Sequence, residues 1–417
     1  MAVAEIIAIG SELLTPEKTD TNSLWLTARL NEVGVEVRMK TIVGDDGARL
    51  EEAVRDALGR SDVVVTTGGL GPTADDITRE FTARAVGREL VYHKDIELHL
   101  RERFRAWGRE MPEINKRQAY VIDRAEVLPN SNGSAVGMLA EIDGKMLIIL
   151  PGPPRENQAM FTERVLPRLK MVSGEFHVRR RLLRVIGGES AVDEVAAPIY
   201  AKYENVETSI LFNRSEVEIH IAAKGATGAE AQATADKLAD ELAAALGENV
   251  FSTGGQTMEE VVGLLLKERG ETLAIAESCT GGLIGSRITE VAGSSQYFLE
   301  GCVTYSNDAK ERTLDVPREI IERHGAVSAE CAEAMAAGMR HRARSTHAIS
   351  VTGIAGPGGG SGEKPVGTVF IGYSGPETLR SIKIVVPGDR YLIRWRASQA
   401  ALDLLRRQLR RSGHQSP

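Results

Sequence analysis

The alternation of hydrophobic and polar positions predicts that the chain begins with an α/β segment. Short apolar runs alternate there with stretches whose apolar residues recur every three or four positions. The predicted strands are 3–9, 36–43 and 61–67, and the predicted helices are 22–33, 48–58 and a stretch that starts at Ile77. This order predicts right-handed βαβ crossovers and a parallel sheet, whose ligands bind at the C-terminal ends of the strands.

The pattern changes in a middle segment of about 80 residues (171–252). It predicts a basic alternating strand at 179–186 and two further strands at 209–212 and 215–223. It also predicts a helix at 189–203, which Pro198 breaks near its end, and an alanine-rich helix at 229–246. Two helices against three strands make a small α+β module. Residues 247–255 then read as a link to the last segment.

The third segment, from about residue 257, again has α/β character. Apolar runs at 272–276, 302–305 and 347–351 predict strands, and 283–289 predicts a helix. Asn307 and Asp308 are expected to cap a helix that carries Lys310. A chain of 417 residues is too long for one core. We therefore divide it into domains at 1–170, 171–252 and 257–417.

Composition and charge exclude several classes of protein. The hydrophobic fraction of 42% is ordinary for globular domains, and a net charge of −7 gives no electrostatic support for general nucleic-acid or membrane binding. Three cysteines without metal-ligand spacing indicate a reducing compartment. No run of 18 apolar residues occurs, and the first residues lack a basic segment. We expect a cytoplasmic protein.

Ser278 is the candidate nucleophile, because it lies at a predicted strand-to-helix turn before Gly281 and Gly282. Such a turn offers an exposed hydroxyl, an open approach and unpaired N–H groups of the helix start, aimed at developing negative charge. A serine needs a base. Lys310 fits, since burial lowers a lysine pKa, and Tyr305 could relay the proton.

Three alternatives remain open at this point. Ser278 could simply cap the helix. Cys279 could be the nucleophile, since a helix N-terminus lowers a thiol pKa, although no histidine is near it in sequence. The segment 352–367 has six glycines before Lys364 and could form an anion nest or only a flexible loop. It is not a Walker loop, because the required spacing is absent.

Residues from about 257 to 410 resemble the C-terminal domain of the CinA family, the nicotinamide-nucleotide amidases. The shared motifs are Ala-Glu-Ser-Cys-Thr-Gly-Gly (276–282), Ala-Gly-Ser-Ser (292–295), Gly-Cys-Val-Thr-Tyr-Ser-Asn-Asp-Ala-Lys (301–310), His-Gly-Ala-Val-Ser (324–328), Val-Thr-Gly-Ile-Ala-Gly-Pro (351–357), Lys-Pro-Val-Gly-Thr-Val (364–369) and Pro-Gly-Asp-Arg (387–390). The resemblance implies hydrolysis of the carboxamide of nicotinamide mononucleotide, without a cofactor, by Ser278 activated through Tyr305 and Lys310. It also implies substrate contacts from an arginine, Arg390 or, preferably, Arg394, and from Thr280, Gly281, Gly282, Gly353 and Gly356.

In the first segment, polar and glycine-rich turns follow three predicted strands. Gly10-Ser-Glu, Gly44-Asp-Asp and Thr67-Gly-Gly-Leu-Gly-Pro suit a phosphate. Carboxylates near these turns could hold a divalent cation that bridges phosphates, or could only cap helices. The candidate metal ligands are Glu12, Asp20, Asp45, Asp75, Asp76 and Glu80. The candidate substrate contacts are Asn22, Gly68, Gly69 and Gly71.

The same segment resembles the MogA-like, molybdopterin-binding fold, in the form found at the N-terminus of CinA proteins. The match rests on Gly10-Ser-Glu-Leu-Leu, Asp20-Thr-Asn-Ser, Thr67-Gly-Gly-Leu-Gly-Pro with Asp76-Ile-Thr, and 150–156. It implies hydrolysis of ADP-ribose at its pyrophosphate with Mg²⁺, Mn²⁺ or Co²⁺. Two loops depart from the family pattern, at Thr15-Pro-Glu-Lys-Thr and at Val136, where a proline is common.

The middle segment is similar to a KH-type domain. The GXXG loop that clamps a nucleic-acid backbone is not evident, and Glu189 after Gly187-Gly188 would oppose phosphate. We therefore expect a spacer or dimerisation module in a homodimer without a nucleic-acid partner. The whole chain is predicted to be a bifunctional pyridine-nucleotide enzyme. The alternatives are a nucleotide-sensing or scaffold protein with a non-catalytic first domain, and a molybdopterin-handling protein.

Overall fold

A computed structural model describes residues 2–172 and 177–412 of the chain. The chain divides into two compact units, one of residues 1–179 with 223–234 and the other of residues 180–222 with 235–417. Among the described residues, no helix has the length and apolar character needed to cross a membrane.

The first domain contains a six-stranded mixed sheet in the order β2-β1-β3-β8-β7-β6. Strands β1, β2 and β3 are parallel, as predicted. Strand β8, which was not predicted, is parallel to β3, and β7 runs antiparallel to both of its neighbours, β8 and β6. A second, two-stranded sheet joins β4 and β5. The strands are β1 (Val3–Ile9), β2 (Glu36–Val43), β3 (Val63–Thr67), β4 (Leu90–Tyr92), β5 (Tyr120–Ile122), β6 (Glu126–Leu128), β7 (Gly137–Ile142) and β8 (Lys145–Leu150).

Helices cover both faces of this sheet. Alternate residues of β1 enter two different cores, with Ile7 and Ile9 on one face and Ala4 and Ile6 on the other. This is the pattern of a parallel sheet buried on both sides. The helices are α1 (Thr21–Glu32), α2 (Gly47–Arg60), α3 (Thr78–Ala85), α4 (Lys94–Ala106), α5 (Pro154–Met160) and α6 (Leu166–Val172), with short 3₁₀ turns at Ser11–Leu14 and Glu113–Ala119 and a π turn at Phe161–Val165.

The middle domain has four strands, in the order β10-β11-β9-β12, and not the three predicted. The fourth strand lies in the segment expected to be a link, where Val250 pairs antiparallel with Val185. Pro198 lies inside the first helix rather than breaking it. The elements are β9 (His177–Val185), α7 (Glu189–Tyr200), β10 (Val206–Asn213), β11 (Glu216–Gly225), α8 (Gly228–Leu246) and β12 (Val250–Ser252), with a 3₁₀ turn at Gly247–Asn249.

The C-terminal domain has a five-stranded sheet in the order β14-β13-β15-β16-β17, with β13 parallel to β14 and β15 and the last two strands antiparallel. The strand predicted at 302–305 instead begins at Phe298 and ends at Val303. The strands are β13 (Leu273–Glu277), β14 (Phe298–Val303), β15 (His347–Gly353), β16 (Thr368–Ser374) and β17 (Leu379–Val385).

Strand β13 shows how this sheet is buried. Leu273 and Ile275 enter the larger core, whereas Ala274 and Ala276 pack on the other face, where small side chains let helices approach closely. The helices are α9 (Met258–Arg269), α10 (Leu283–Glu290), α11 (Asn307–Leu314), α12 (Arg318–His324), α13 (Ala329–Ala343) and α14 (Arg390–Ser412), with a 3₁₀ turn at Ser294–Gln296. The C-terminal ends of β13 and β15 thus meet at one edge of the sheet.

Candidate functional site

Ser278 follows the last residue of β13 and lies in the turn before α10. Its backbone N–H donates to the carbonyl oxygen of Val351 at 2.9 Å, which fixes it beside β15. Gly281 and Gly282 have φ angles of +61° and +91°. These left-handed conformations are available to glycine at little cost, so the chain can reverse here and enter α10. Ser278 therefore lies at the strand-to-helix turn that the sequence predicts.

Lys310 is the group that contacts the Ser278 hydroxyl. Its Nζ donates to Ser278 Oγ at 3.1 Å and to the carbonyl oxygen of Thr304 at 2.7 Å, and only 1% of the residue is exposed. Helix α11 carries it, and the Ser306 side chain, not the predicted Asn307 or Asp308, caps that helix. Burial lowers the pKa of Lys310. Cys331 and Cys279 act in the opposite direction, but burial is the larger effect, and no carboxylate in the described parts of the chain pairs with the amine.

Tyr305 is placed differently from the prediction of a proton relay. Its hydroxyl accepts a hydrogen bond from Arg390 Nη2 at 2.9 Å, and 61% of the residue is exposed. The hydrogen bonds of the described residues do not join it to Ser278 or Lys310. Tyr305 does line the cavity in front of Ser278. Its position suits contact with a ligand better than transfer of a proton to the lysine.

The two candidate arginines are separated by the structure. Arg390 lines the cavity and donates to the carbonyl oxygen of Gly356 at 2.7 Å as well as to Tyr305. Arg394, which we expected to contact substrate, instead donates through Nε and Nη2 to the carbonyl oxygen of Thr280, at 3.1 and 2.6 Å. Arg390 is therefore the arginine at the cavity, and Arg394 holds the turn that follows Ser278.

The N–H groups at the start of α10 are not free, in contrast to our expectation. The side chain of Glu277 accepts from the N–H groups of Gly282, Ile284 and Gly285, at 2.9, 3.2 and 2.9 Å. Only 3% of Glu277 is exposed. A buried carboxylate that receives three N–H donors satisfies the helix start itself. These donors cannot stabilise negative charge on a substrate.

Sequence reasoning assigned no role to Glu277. A usable signal was present, because Glu277 is the charged last residue of an otherwise apolar and fully buried strand, Leu273–Glu277. Charged residues are seldom buried without a partner. A glutamate in such a run therefore indicates that nearby donors surround it.

The cavity in front of Ser278 has a volume of about 290 Å³. Of the glycines predicted to contact substrate, Gly353 and Gly356 line it, whereas Gly281 and Gly282 do not, and neither does Thr280. Ala326 and Val327, to which we gave no role, line it as well. Lys364, at the end of the glycine-rich loop, ties this loop to the segment 324–327, because its Nζ donates to the carbonyl oxygens of His324 and Val327 at 3.0 and 2.7 Å.

Cys279 is the other candidate nucleophile, and its environment opposes that role. It is 5% exposed, and burial raises the pKa of its thiol to about 12. A thiol must be deprotonated to act as a nucleophile. At neutral pH Cys279 is therefore a weaker candidate than the Ser278 hydroxyl beside Lys310.

In the first domain, a polar cluster lies where β3 and β8 end. Asn22 Nδ2 donates to Thr67 Oγ1 and to the carbonyl oxygen of Gly152, at 3.1 and 2.6 Å. Asn157, which sequence reasoning missed, donates to the same Thr67 oxygen at 2.9 Å and to Pro151 O at 3.1 Å. Among the described residues, the buried Oδ1 atoms of Asn22 and Asn157 have no hydrogen-bond partner. These two oxygens are unsatisfied acceptors at the expected ligand edge, and that of Asn157 belongs to a fully buried residue.

The glycines of the loop after β3 are explained by close packing. Gly68 and Gly69 have positive φ angles, of +110° and +63°. A Cβ atom on Gly68 would collide with the carbonyl oxygen of Ile9, and a Cβ on Gly71 would collide with the carboxylate of Asp76. The fold therefore requires these glycines whether or not a phosphate binds beside them.

The predicted metal ligands take part in local contacts instead of forming a cluster. Within residues 2–172 and 177–412, no group of three or more His, Cys, Asp or Glu side chains is arranged to hold a metal ion. Asp20 caps α1, Asp45 accepts from Ser11 N, Asp76 accepts from Gly71 N, Thr73 N and Thr73 Oγ1, Glu80 pairs with Arg84, and Asp75 is exposed. This arrangement of the carboxylates does not fit a divalent ion. A metal ion in the first domain therefore stays a prediction.

Comparison with known proteins gives matches along nearly the whole chain. Three family models match it: "Probable molybdopterin binding domain" over residues 5–171, "Damage-inducible protein CinA KH domain" over 180–252 and "CinA C-terminal domain" over 255–409. Two relatives, both named CinA-like protein, come from Solibacter usitatus and Koribacter versatilis. They are 47% and 48% identical over 97% and 98% of this chain, and over 98% and 100% of their own.

A solved structure also matches part of the chain. It is the competence/damage inducible protein CihA from Agrobacterium tumefaciens, which is 40% identical over 38% of this chain and 99% of its own, with a TM-score of 0.36. The full-length relatives therefore carry the family assignment, together with the three matched domains.

Proposed function

The chain belongs to the CinA family, and we propose that its C-terminal domain hydrolyses the carboxamide of nicotinamide mononucleotide to nicotinate mononucleotide and ammonia, with Ser278 as nucleophile. Family membership supports a hydrolase in general terms. The specific substrate comes from the resemblance of the motifs around Ser278 and Lys310. The single observation that carries the proposal is the 3.1 Å hydrogen bond between Ser278 Oγ and the buried Lys310 Nζ.

The chemistry follows from this pair. Lys310 in its neutral form takes the Ser278 proton while Oγ bonds to the carboxamide carbon. The tetrahedral intermediate then loses its amine, which leaves as ammonia with the proton from Nζ. Water attacks the resulting ester with Lys310 again accepting a proton, and Ser278 regains its hydroxyl as the acid is released. The step needs no redox partner and no group other than water.

The surroundings of the pair suit a cationic ring with a phosphate. Tyr305 is an exposed aromatic side chain on the cavity wall, and an aromatic face attracts a positively charged ring such as the pyridinium of the substrate. Arg390, at the same wall, carries a guanidinium that can pair with phosphate. Gly356 and its neighbours let the ligand approach the backbone closely.

The test is ammonia release from nicotinamide mononucleotide by the full-length protein. We expect Ser278→Ala to abolish release, Cys279→Ala to retain it, and EDTA to leave it unchanged. The adjacent cysteine is a matched control, because both side chains lie in the same turn. Ammonia release that survives Ser278→Ala, or that disappears in Cys279→Ala, would exclude Ser278 as nucleophile.

For the first domain we propose metal-dependent hydrolysis of ADP-ribose at its pyrophosphate. The family model that matches residues 5–171 describes a molybdopterin binding domain, and the hydrolytic activity rests on the resemblance of its strand-end motifs. The unpartnered oxygens of Asn22 and Asn157 support a ligand at this edge. Because the carboxylates do not converge, the alternative of a non-catalytic nucleotide- or molybdopterin-binding domain stays in place.

Release of AMP from ADP-ribose distinguishes these two functions. A hydrolase releases AMP, loses this activity with a chelator and regains it with Mg²⁺, Mn²⁺ or Co²⁺. Asp45→Ala tests a predicted metal ligand with little structural disturbance, since among the described residues its carboxylate accepts one backbone hydrogen bond, from Ser11 N. Binding of ADP-ribose or molybdopterin without turnover would favour the binding domain. A homodimer without a nucleic-acid partner remains our proposal for the assembly.

A further inference from the structure

A second and larger cleft lies alongside β17, away from Ser278. Its volume is about 630 Å³, against about 290 Å³ for the cavity at Ser278. We call it the β17 cleft, formed by β17, α14 and the middle-domain residues 186–188, 212 and 215. Sites for small molecules commonly have volumes of a few hundred to 1,000 Å³. The β17 cleft is therefore large enough for an organic ligand.

The floor of the β17 cleft is apolar. Ile382, Ile384 and Val386 alternate along the chain and so share one face, and they are only partly buried against the core of the C-terminal domain. Phe212 lines the same cleft with 46% of its surface exposed. An exposed aromatic ring in the same cleft as a row of aliphatic side chains suits a flat, apolar body.

The charged groups of the β17 cleft are mainly arginines. Arg380 shares the face of Ile382, and Arg396 donates only to the carbonyl oxygens of Arg214 and Pro387, at 3.4 and 2.7 Å. Neither has a carboxylate partner within the described part of the chain. The other two lining arginines, Arg407 and Arg411, are paired with Glu248.

The acidic group in this cleft does not offset those two arginines. Asp403 lines the cleft, but its two carboxylate oxygens are taken by Arg406 and Arg407. Two unneutralised guanidinium groups beside an apolar floor favour an anion, and guanidinium pairs especially well with phosphate. The cleft thus combines a place for a ring with a place for phosphate.

We propose that the β17 cleft binds a nucleoside di- or polyphosphate, with its heterocycle between Phe212 and Ile384 and its phosphates at Arg380 and Arg396. This site is separate from the residues of both proposed activities. An extended acidic peptide that pairs with the free edge of β17 is the competing occupant. The nucleotide fits better, because the apolar row has only three residues and because Arg380 and Arg396, which lack a carboxylate partner among the described residues, line the same cleft.

Hydrogen exchange with ADP as the probe tests the proposal on the full-length protein. We expect ADP to slow amide exchange in residues 379–386 and 207–215, and to bind with an affinity measurable by calorimetry. Arg380→Ala with Arg396→Ala is expected to weaken this binding roughly tenfold or more, because each removes a charge-assisted hydrogen bond. Arg342→Ala is the matched control, since Arg342 is a half-exposed arginine of α13 outside the cleft.

Exchange data also locate the ligand, which separates this site from binding at Ser278 or in the first domain. Protection confined to those other regions would overturn the proposal. So would equal loss of affinity in Arg342→Ala, or protection of β17 by a glutamate-rich peptide but not by ADP. The result does not depend on amidase activity, so failure of the proposed function would leave it intact.

Discussion

Lys310 Nζ lies 3.1 Å from Ser278 Oγ, and both residues are more than nine-tenths buried. The lysine comes from α11 and the serine from the end of β13, so the sheet brings together two groups 32 positions apart in sequence. Lys310 has no carboxylate partner among the described residues, and its burial favours the neutral amine. The pair has the geometry of a nucleophile with its base.

Replacing this base tests the relationship directly. Lys310→Met keeps an unbranched side chain out to Cε and removes the amine. We expect kcat for ammonia release to fall by roughly 10³-fold, within the range that general bases contribute. Lys383→Met is the control, because Lys383 is an exposed lysine of β17 outside the cavity. A Lys310→Met enzyme with nearly normal kcat would show that Ser278 is activated in another way.

The pH dependence follows from the lowered pKa of Lys310. Below that pKa the amine is protonated and cannot accept the Ser278 proton, so kcat/KM is expected to rise as pH rises through it. Stability should change in the same direction. Between the lowered pKa and the ordinary value of 10.5, the unfolded chain binds more protons than the folded chain, so the free energy of unfolding rises with pH.

Wild type and Lys310→Met should therefore differ in how their stability depends on pH. Below both pKa values, wild type carries the full cost of burying a charged amine, and this cost diminishes as pH rises towards 10.5. Urea unfolding at a series of pH values measures it. A wild-type stability that falls relative to Lys310→Met as pH rises over this range would contradict the assignment.

Glu277 is predicted to position Ser278 without touching substrate. Glu277→Gln removes the charge that three N–H donors share, and we expect a loss of about 2 kcal/mol in the free energy of unfolding. We also expect kcat to fall while KM changes little, because the turn that holds Ser278 relaxes. Glu300→Gln, on a carboxylate paired with Arg342, is the control. An unchanged kcat would show that the turn holds its shape by itself.

Arg390 and Arg394 should differ in kinetics. Arg390→Ala removes a cation from the cavity wall, so KM for nicotinamide mononucleotide is expected to rise roughly tenfold or more with little change in stability. Arg394→Ala removes the two hydrogen bonds to Thr280 O, so kcat and the thermal midpoint should fall instead. Steady-state kinetics and thermal unfolding of both variants test this. The reverse pattern would return Arg394 to the substrate site.

Asp76 is predicted to stabilise its own loop. Its carboxylate accepts from Gly71 N, Thr73 N and Thr73 Oγ1, at 2.7, 2.8 and 2.6 Å. Asp76→Ala is expected to destabilise the first domain by about 2 kcal/mol, whereas the exposed neighbour Asp75→Ala should change little. Thermal unfolding measures both. If Asp76→Ala and Asp75→Ala were equally stable, Asp76 would not be needed to hold its loop, and a role in binding a ligand or metal would be favoured.

The sequence determined the three α/β or α+β segments, because hydrophobic periodicity is a local property of the chain. It placed β1 and β2 at their observed bounds and Ser278 in its turn. It also identified Lys310 as a candidate partner. These results depend on neighbouring residues and on motifs that lie along the chain.

Tertiary structure decided which side chains meet. Local pattern gives no information on distant partners, so only the folded chain shows that Glu277 occupies the start of α10, that Arg394 holds Thr280 and that Arg390 reaches the cavity. The strand β12 was missed for the same reason, since a three-residue strand exists only through pairing with β9. Apart from the exposed Asp75, the predicted metal ligands lie at helix caps and loop contacts, because they satisfy nearby backbone N–H groups or a charged neighbour.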